Sequence, residues 1–261
     1  MGQPGQIRLE YEGLVAWITI DNPDKRNAIS LTMWRELNSI LHEVKDETRC
    51  IVVRGAGDKA FAAGADISEF EGMRRSPEDI AANEEIVDSA MARLSAMPQP
   101  TVAMISGYCF GGGVALALCC DVRLAADTSQ FAVPAARIGI GYGATGLKNL
   151  LETVGVPVAM DIMMSARRYS AAEAVAAGLV NRVYPVADLA QEVKIYSSSI
   201  ASNAPLTVRA TKRMIRELTR VGPHVDLDLC NRLAAECFAS DDFLEGARAF
   251  MEKRAPRFSG H

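Results

Sequence analysis

The chain has 261 residues, 49% of them hydrophobic and 23% charged, enough to bury a large core and too apolar for a disordered protein. With 28 Lys and Arg against 32 Asp and Glu, the net charge of −4 lacks the basic excess of a protein that grips nucleic-acid phosphates. The three histidines, His42, His224 and His261, are too few for a His-built metal centre, and the six cysteines form no C-x-x-C pair and read as free thiols of a reducing compartment.

The first elements form a hairpin: Ile7, Leu9 and Tyr11 alternate with polar residues, Glu12-Gly13 turns the chain, and residues 14–20 return apolar and β-branched. Residues 1–13 lack the apolar run behind a basic start that marks an export signal, so a cytoplasmic location is expected. Trp34, Leu37, Ile40, Leu41 and Val44 recur at helical spacing, and residues 50–54 read as a buried strand. Ser76-Pro77-Glu78-Asp79 is a helix start, with a capping Ser, Pro in the first helical position and acids in the first turn. Residues 94–120 carry no charge, but Pro98, Pro100 and Gly111-Gly112-Gly113 interrupt them, so they read as the centre of a soluble fold rather than a membrane span. Within them residues 101–105 read as a strand and 116–119 as helix; 122–125 read as the next strand. Strands alternating with helices indicate a parallel sheet with crossover helices.

After about residue 144 the character changes. Ser170-Ala171-Ala172-Glu173 is a capping box, with Gly178 placed to end its helix. Leu189, Val193, Tyr196 and Ile200 make one helical stripe, and residues 206–218 and 225–251 read as mainly helical. The division expected is an α/β body over 1–185 and a helical region over 186–261, packed on the body, on neighbouring subunits, or on both.

Two segments could carry chemistry. Ala60-Phe61-Ala62-Ala63-Gly64-Ala65-Asp66-Ile67 has small residues that let a ligand approach the backbone. Ser106-Gly107-Tyr108-Cys109-Phe110-Gly111-Gly112-Gly113 lies between a strand and an apolar helix, where free N–H groups can meet an anion. Tight packing of a strand–turn–helix explains the same residues, and composition alone favours it. Gly141-Tyr142-Gly143-Ala144-Thr145-Gly146 fits G-x-G-x-x-G by letter but lacks the strand before it and the acid after it that a dinucleotide site needs. Cys109 has no His near it in sequence and reads as a buried thiol rather than a nucleophile.

These segments resemble those of the crotonase, or enoyl-CoA hydratase/isomerase, superfamily. The resemblance is carried by Ile18-Thr19-Ile20-Asp21-Asn22-Pro23 with Lys25-Arg26-Asn27-Ala28, by residues 61–67 and by residues 107–113. It continues through Asp121-Val122-Arg123, Gln130-Phe131, Ala177-Gly178-Leu179-Val180 and Phe250-Met251-Glu252-Lys253-Arg254, and so runs nearly end to end. It implies an α/β, crotonase-like spiral of ββα units with a C-terminal helical trimerisation region, assembled as a homotrimer or hexamer. It also implies an acyl-CoA substrate, with coenzyme A as part of the thioester and no other cofactor, no metal, no nucleic acid and no membrane. The thioester carbonyl would sit between the backbone N–H groups of Ala65 and Gly112. Lys25, Ala63, Ala65, Asp66 and Ile67 would grip the coenzyme, with Phe250 and Lys253 contributed by a neighbouring subunit.

The departure from the family is chemical. Two glutamates position and activate water in its hydratases; the matching positions here are Ala115 and Ala135, and no Asp or Glu occurs over residues 132–151. Adding water across a conjugated double bond needs a group to take and give protons, so ordinary hydration is not expected. What remains is an apolar pocket of Cys109, Val114, Ala115, Phe131, Val133, Ala135, Ile138 and Ile140, with Tyr142 and Arg137 as polar exceptions. It suits an enolate that forms without a paired-glutamate base, as in decarboxylation, or in hydrolysis or C–C cleavage of a keto thioester. Residues 141–150 are similar to those of the methylmalonyl-CoA decarboxylase branch, which implies contact of Tyr142 with a substrate carboxylate; the histidine which that branch has in its first oxyanion segment is missing here. Arg137 is open to two readings, a carboxylate partner or a solvent-facing helix residue, and Glu69, Glu71 and Arg74 to an acid–base role or a solvated helix face. Weak hydratase or isomerase activity, or acyl-CoA binding without catalysis, are the alternatives.

Overall fold

The structure is a computed structural model and describes residues 4–66, 76–219 and 225–261. Strands β1 (Gln6–Glu12) and β2 (Val15–Asp21) form the expected antiparallel hairpin, closed at the Glu12–Val15 pair, with Gly13 at φ +58°. Helix α1 (Leu31–Glu43) starts at Ser30, whose hydroxyl accepts from the Met33 amide at 3.2 Å, and it buries Met33, Trp34, Leu37 and Leu41. From there the chain winds as a spiral between two sheets. Strands β3 (Cys50–Gly55), β5 (Thr101–Ile105) and β7 (Val122–Ala126) enter the first sheet, and β4 (Ala60–Ala62), β6 (Tyr108–Phe110) and β8 (Gln130–Ala132) enter the second. Helices α2 (Pro77–Ala96), α3 (Gly112–Leu118), α4 (Ala135–Ile138) and α5 (Ala144–Ser165) follow successive strand pairs. Strand β9 (Tyr169–Ser170) closes the second sheet, helix α6 (Ala171–Ala176) follows it, and β10 (Arg182–Tyr184) closes the first. The first sheet has the order β1-β2-β3-β5-β7-β10 and the second β4-β6-β8-β9. Pairings from β2 to β10 across the first sheet, and from β4 to β8 across the second, are all parallel.

The first sheet is apolar on both faces, as buried parallel strands require. Ala16, Ile18 and Ile20, Ile51 and Val53, and Ala103 and Ile105 face the main core. The alternate residues Val15 and Trp17, Cys50 and Val52, and Val102 face a second cluster, covered by Leu189, Val193 and Ala201 of α7 (Leu189–Ser202). Leu189 and Val193 of the anticipated stripe are thus sheet-facing, and the C-terminal region begins as a layer on the body.

Beyond α7 come α8 (Pro205–Leu218), α9 (Leu227–Phe238) and α10 (Asp241–Glu252). The stretch read as mainly helical over 225–251 holds two helices, because the Ser240 hydroxyl accepts from the Phe243 amide at 3.2 Å and starts α10 afresh. Helix α5 has no counterpart in the sequence reading: it contains Gly146, Gly155 and Pro157, and it breaks at Gly155, which has φ +73°.

Two matching motifs are explained by packing. The buried Arg123 donates from Nε to the Leu179 carbonyl and from Nη1 to the Cys120 carbonyl, both at 2.8 Å. Asn27 donates to the Ala56 and Ala60 carbonyls at 3.0 and 2.7 Å, shaping the loop that precedes Ile29. Among the described residues no helix is long and apolar enough to cross a membrane.

Candidate functional site

Because β4, β6 and β8 run parallel, the chain leaves their C-terminal ends side by side, the usual place for a ligand site in parallel α/β sheets. Three segments meet there: residues 63–66, the turn 111–113 and residues 133–135.

Ala65 sits in an isolated parallel bridge to Ile29. Ile29 bonds to the residues on either side of it, donating to the Gly64 carbonyl at 2.8 Å and accepting from the Asp66 amide at 3.2 Å. That pattern turns the Ala65 N–H to the opposite side, because successive amides alternate along an extended chain. On that side lies the glycine turn. Gly111, at φ +50°, donates to the Ala132 carbonyl at 2.8 Å and turns the chain into α3. A Cβ placed on Gly112 would lie 3.7 Å from the Ala65 nitrogen, and one on Gly64 would lie 3.7 Å from the Gly112 nitrogen. The two segments therefore approach backbone to backbone. Among the described residues neither the Ala65 nor the Gly112 amide donates to a protein acceptor. Gly113 is held tighter still, since a Cβ there would meet the Ala62 carbonyl oxygen at 2.3 Å.

Lys25 and Asp66 come together, Nζ to Oδ2 at 2.7 Å, and the Ala63 amide donates to the Arg26 carbonyl at 3.1 Å. Ile67, Glu69, Glu71 and Arg74 lie outside the described residues. Cys109, Val114, Ala115, Phe131, Val133 and Ala135 are buried within the main core. Burial pushes the Cys109 thiol far above its ordinary range, so it is not poised as a thiolate nucleophile. Ile138 and Ile140 depart from the expected lining: they are 55% and 46% exposed on this chain. Arg137 is also exposed, because α4 is a single turn that buries only Ala135.

Tyr142 lies on the irregular stretch before α5 and packs against the main core. Its hydroxyl oxygen is buried and has no hydrogen-bond partner among the described residues. Burial first, then the nearby Cys109 and Cys119 thiols, push its pKa well above the ordinary phenol value. The phenol therefore keeps its proton at neutral pH and is available as a donor.

The sequence model of the enoyl-CoA hydratase/isomerase family matches residues 10–261. The chain belongs to this family. It is 32% identical over 256 residues to the short-chain-enoyl-CoA hydratase of Clostridium acetobutylicum, covering 95% of each chain. It is 35% identical over 246 residues to the mitochondrial enoyl-CoA hydratase of Pongo abelii, covering 94% of this chain and 83% of that one. Among solved structures, an enoyl-CoA hydratase/carnitine racemase from Magnetospirillum magneticum superposes with a TM-score of 0.92 at 37% identity, covering 98% of this chain and 96% of the other. The enoyl-CoA hydratase of Bacillus anthracis also reaches 0.92, at 34% identity, covering 98% and 99%. The spiral of strand pairs and helices is thus the crotonase fold, as the resemblance implied.

Within this family member, Phe250 lies on α10, 87% exposed, and Lys253 is the exposed C-cap residue of that helix. Among the described residues no hydrogen bond or ion pair joins either to the segments that carry Ala65 and Gly112. One acid near Tyr142 escaped the sequence reading. Asp88, on α2, accepts a 3.0 Å hydrogen bond from the Thr145 hydroxyl at the start of α5. No local pattern announces it, because only the spiral brings residues this far apart in sequence together.

Proposed function

We propose that this chain transforms an acyl-CoA thioester by holding its carbonyl oxygen between the Ala65 and Gly112 amides while an enolate forms. The observation that carries the reading is that two amides from adjacent strand ends approach each other with no protein acceptor among the described residues. Donors of this kind, fixed in place before the reaction, stabilise a developing oxyanion by roughly 3 to 4 kcal/mol each. Lys25, Ala63, Asp66 and Ile67 belong to the coenzyme grip, and Phe250 and Lys253 complete it from a neighbouring copy in a trimer or hexamer.

The acyl end is walled by Val114, Ala115, Val133 and Ala135, all apolar and buried. Alanines at 115 and 135 offer no acid or base, which favours chemistry in which the substrate generates its own enolate. In decarboxylation of a malonyl-type thioester the C–C bond to the carboxylate breaks and carbon dioxide leaves. The electron pair passes to the α-carbon and thioester oxygen, and a proton from water completes the product. Tyr142, protonated and with no hydroxyl partner among the described residues, would donate to the carboxylate and orient it. Hydrolysis or C–C cleavage of a keto thioester uses the same two amides.

A second reading rests on the relatives, which are named as enoyl-CoA hydratases: a weak hydratase or isomerase. Turnover of crotonyl-, malonyl-, methylmalonyl- and 3-oxoacyl-CoA, followed by mass spectrometry, separates the readings. Consumption of a malonyl-type or 3-oxo thioester is expected. Hydration of crotonyl-CoA alone would establish the second reading, and binding without consumption would reduce the protein to an acyl-CoA carrier. Tyr142→Phe should lower decarboxylation at least roughly tenfold, about 1.4 kcal/mol of barrier, because the carboxylate is no longer oriented for departure; unchanged turnover would reject its role.

A further inference from the structure

Tyr142 has no regular secondary structure around it: residues 139–143 belong to neither helix nor strand. Upstream, the Ile140 amide donates to the Ala135 carbonyl at 3.1 Å. Downstream the stretch runs straight into α5, whose first bond joins the Leu147 amide to the Gly143 carbonyl at 3.1 Å. The position of the tyrosine therefore depends on how that first turn is moored.

Two side-chain contacts moor it. The Thr145 hydroxyl donates to Asp88 Oδ2 on α2 at 3.0 Å. One turn on, Asn149 Nδ2 reaches Cys119 Sγ at the end of α3 at 3.6 Å. The second Asp88 oxygen lies 4.0 Å from where a Cβ on Gly143 would stand, so the half-buried carboxylate also sits against the start of α5, where the helix dipole favours negative charge. Gly146 supplies the seat: a Cβ there would lie 2.9 Å from Tyr142 Cε1 and 3.4 Å from its hydroxyl oxygen. Ring, glycine and mooring are thus one unit, and it holds a phenol whose hydroxyl has no partner among the described residues.

We infer that Asp88 is a positioning residue which, through Thr145, fixes the first turn of α5 and so holds the Tyr142 hydroxyl toward the acyl group; this rests on the Tyr142 role proposed above. Asp88 itself exchanges no proton with substrate. Its effect is to confine a side chain that would otherwise share in the freedom of an irregular segment, and a displacement of about 1 Å at a reacting group can cost up to a hundredfold in rate.

The test places 3-fluorotyrosine at position 142 and reads its fluorine NMR signal, with a second protein labelled at Tyr184 on β10 as a control. In Thr145→Val and Asp88→Ala the signal at 142 should shift or broaden while that at 184 stays unchanged. Thr145→Ser and Asp88→Asn, which keep a hydroxyl donor and an oxygen acceptor, should retain the parent signal. On the thioester that the protein consumes, Thr145→Val should lower kcat roughly tenfold or more with little change in KM, and Thr145→Ser should restore it. An unchanged signal at 142 in both Thr145→Val and Asp88→Ala overturns the inference, and so does an equal disturbance at 184, which would mark a general structural role. The signal reports the mooring even where no thioester is consumed, so failure of the proposed reaction and failure of the mooring remain separate results.

Discussion

At Gly113 a single hydrogen atom decides the approach of two segments. The Ala62 carbonyl occupies the space that a side chain would need, 2.3 Å from the ideal Cβ position. Alanine is the better helix former by about 1 kcal/mol, but forcing a methyl group into backbone costs about 1–3 kcal/mol and moves the turn. Gly113→Ala should therefore be less stable, with a lower midpoint in urea, and should lose turnover beyond the stability loss as Gly112 shifts against Ala65. A variant as stable as the parent would show that the contact is soft. The residues of this region were legible from sequence as types: small residues, a glycine run, and alanines at 115 and 135. Their convergence was implied by the family resemblance and not by the residue types themselves, because it follows from strand pairing. Composition alone favoured packing at this point; the family resemblance favours binding, and so do two amides that meet no protein acceptor among the described residues. Asp88 was hidden for the same reason, since its partner lies across the spiral. Ile138 and Ile140 were grouped with the pocket on their apolarity, and a one-turn α4 leaves them exposed.

Among the elements, those with chemical punctuation were readable and those without it were not. Ser76 and Ser170 mark α2 and α6 through capping boxes, and both boxes form. Helix α5 carries internal glycines and a proline and begins at Gly143 without a side-chain cap, so nothing local declares it. The α6 box also predicts a pH response. Glu173 accepts from the Ser170 amide at 2.8 Å and pairs with Arg167 at 2.7 Å. The amide first, then Arg167, hold its pKa at about 2, down from an ordinary 4.5. A depressed carboxylate stabilises the fold above its unfolded pKa, and the contribution is lost as pH falls from about 4.5 toward about 2. Urea midpoints measured across that window should fall less steeply in Glu173→Gln than in the parent. Parallel curves would mean that the box contributes nothing net, as exposed pairs often do.

Across the whole molecule, α8 is bound to the spiral by a charged knot. The Lys212 ammonium, with a side chain only 9% exposed, lies 2.6 Å from Asp121 and 2.6 Å from the Gln99 carbonyl. Asp121 also pairs with Arg216 at 2.9 Å and accepts from the Thr101 amide at 2.8 Å. Asp121→Ala would strand the buried lysine, a change that typically costs about 3–5 kcal/mol, with the lower end expected because Asp121 is 25% exposed. Lys212→Met should cost clearly less, since Arg216 and Thr101 still satisfy Asp121. Equal losses in thermal or urea unfolding would refute this ordering. The body and the C-terminal helices were separable by eye in the sequence, but nothing local showed that α7 would complete the core of the first sheet or that α8 would be pinned to it.

The Ala65 and Gly112 amides hang from β4 and β6, neighbouring strands of one sheet, while the chain between them makes a full circuit through α2 and β5. Their separation is a property of strand pairing and not of the length of that circuit. Residues could be inserted or exchanged along that circuit without disturbing the spacing of the two amides. The fold thus separates a fixed pair of backbone donors from the length of chain that joins them.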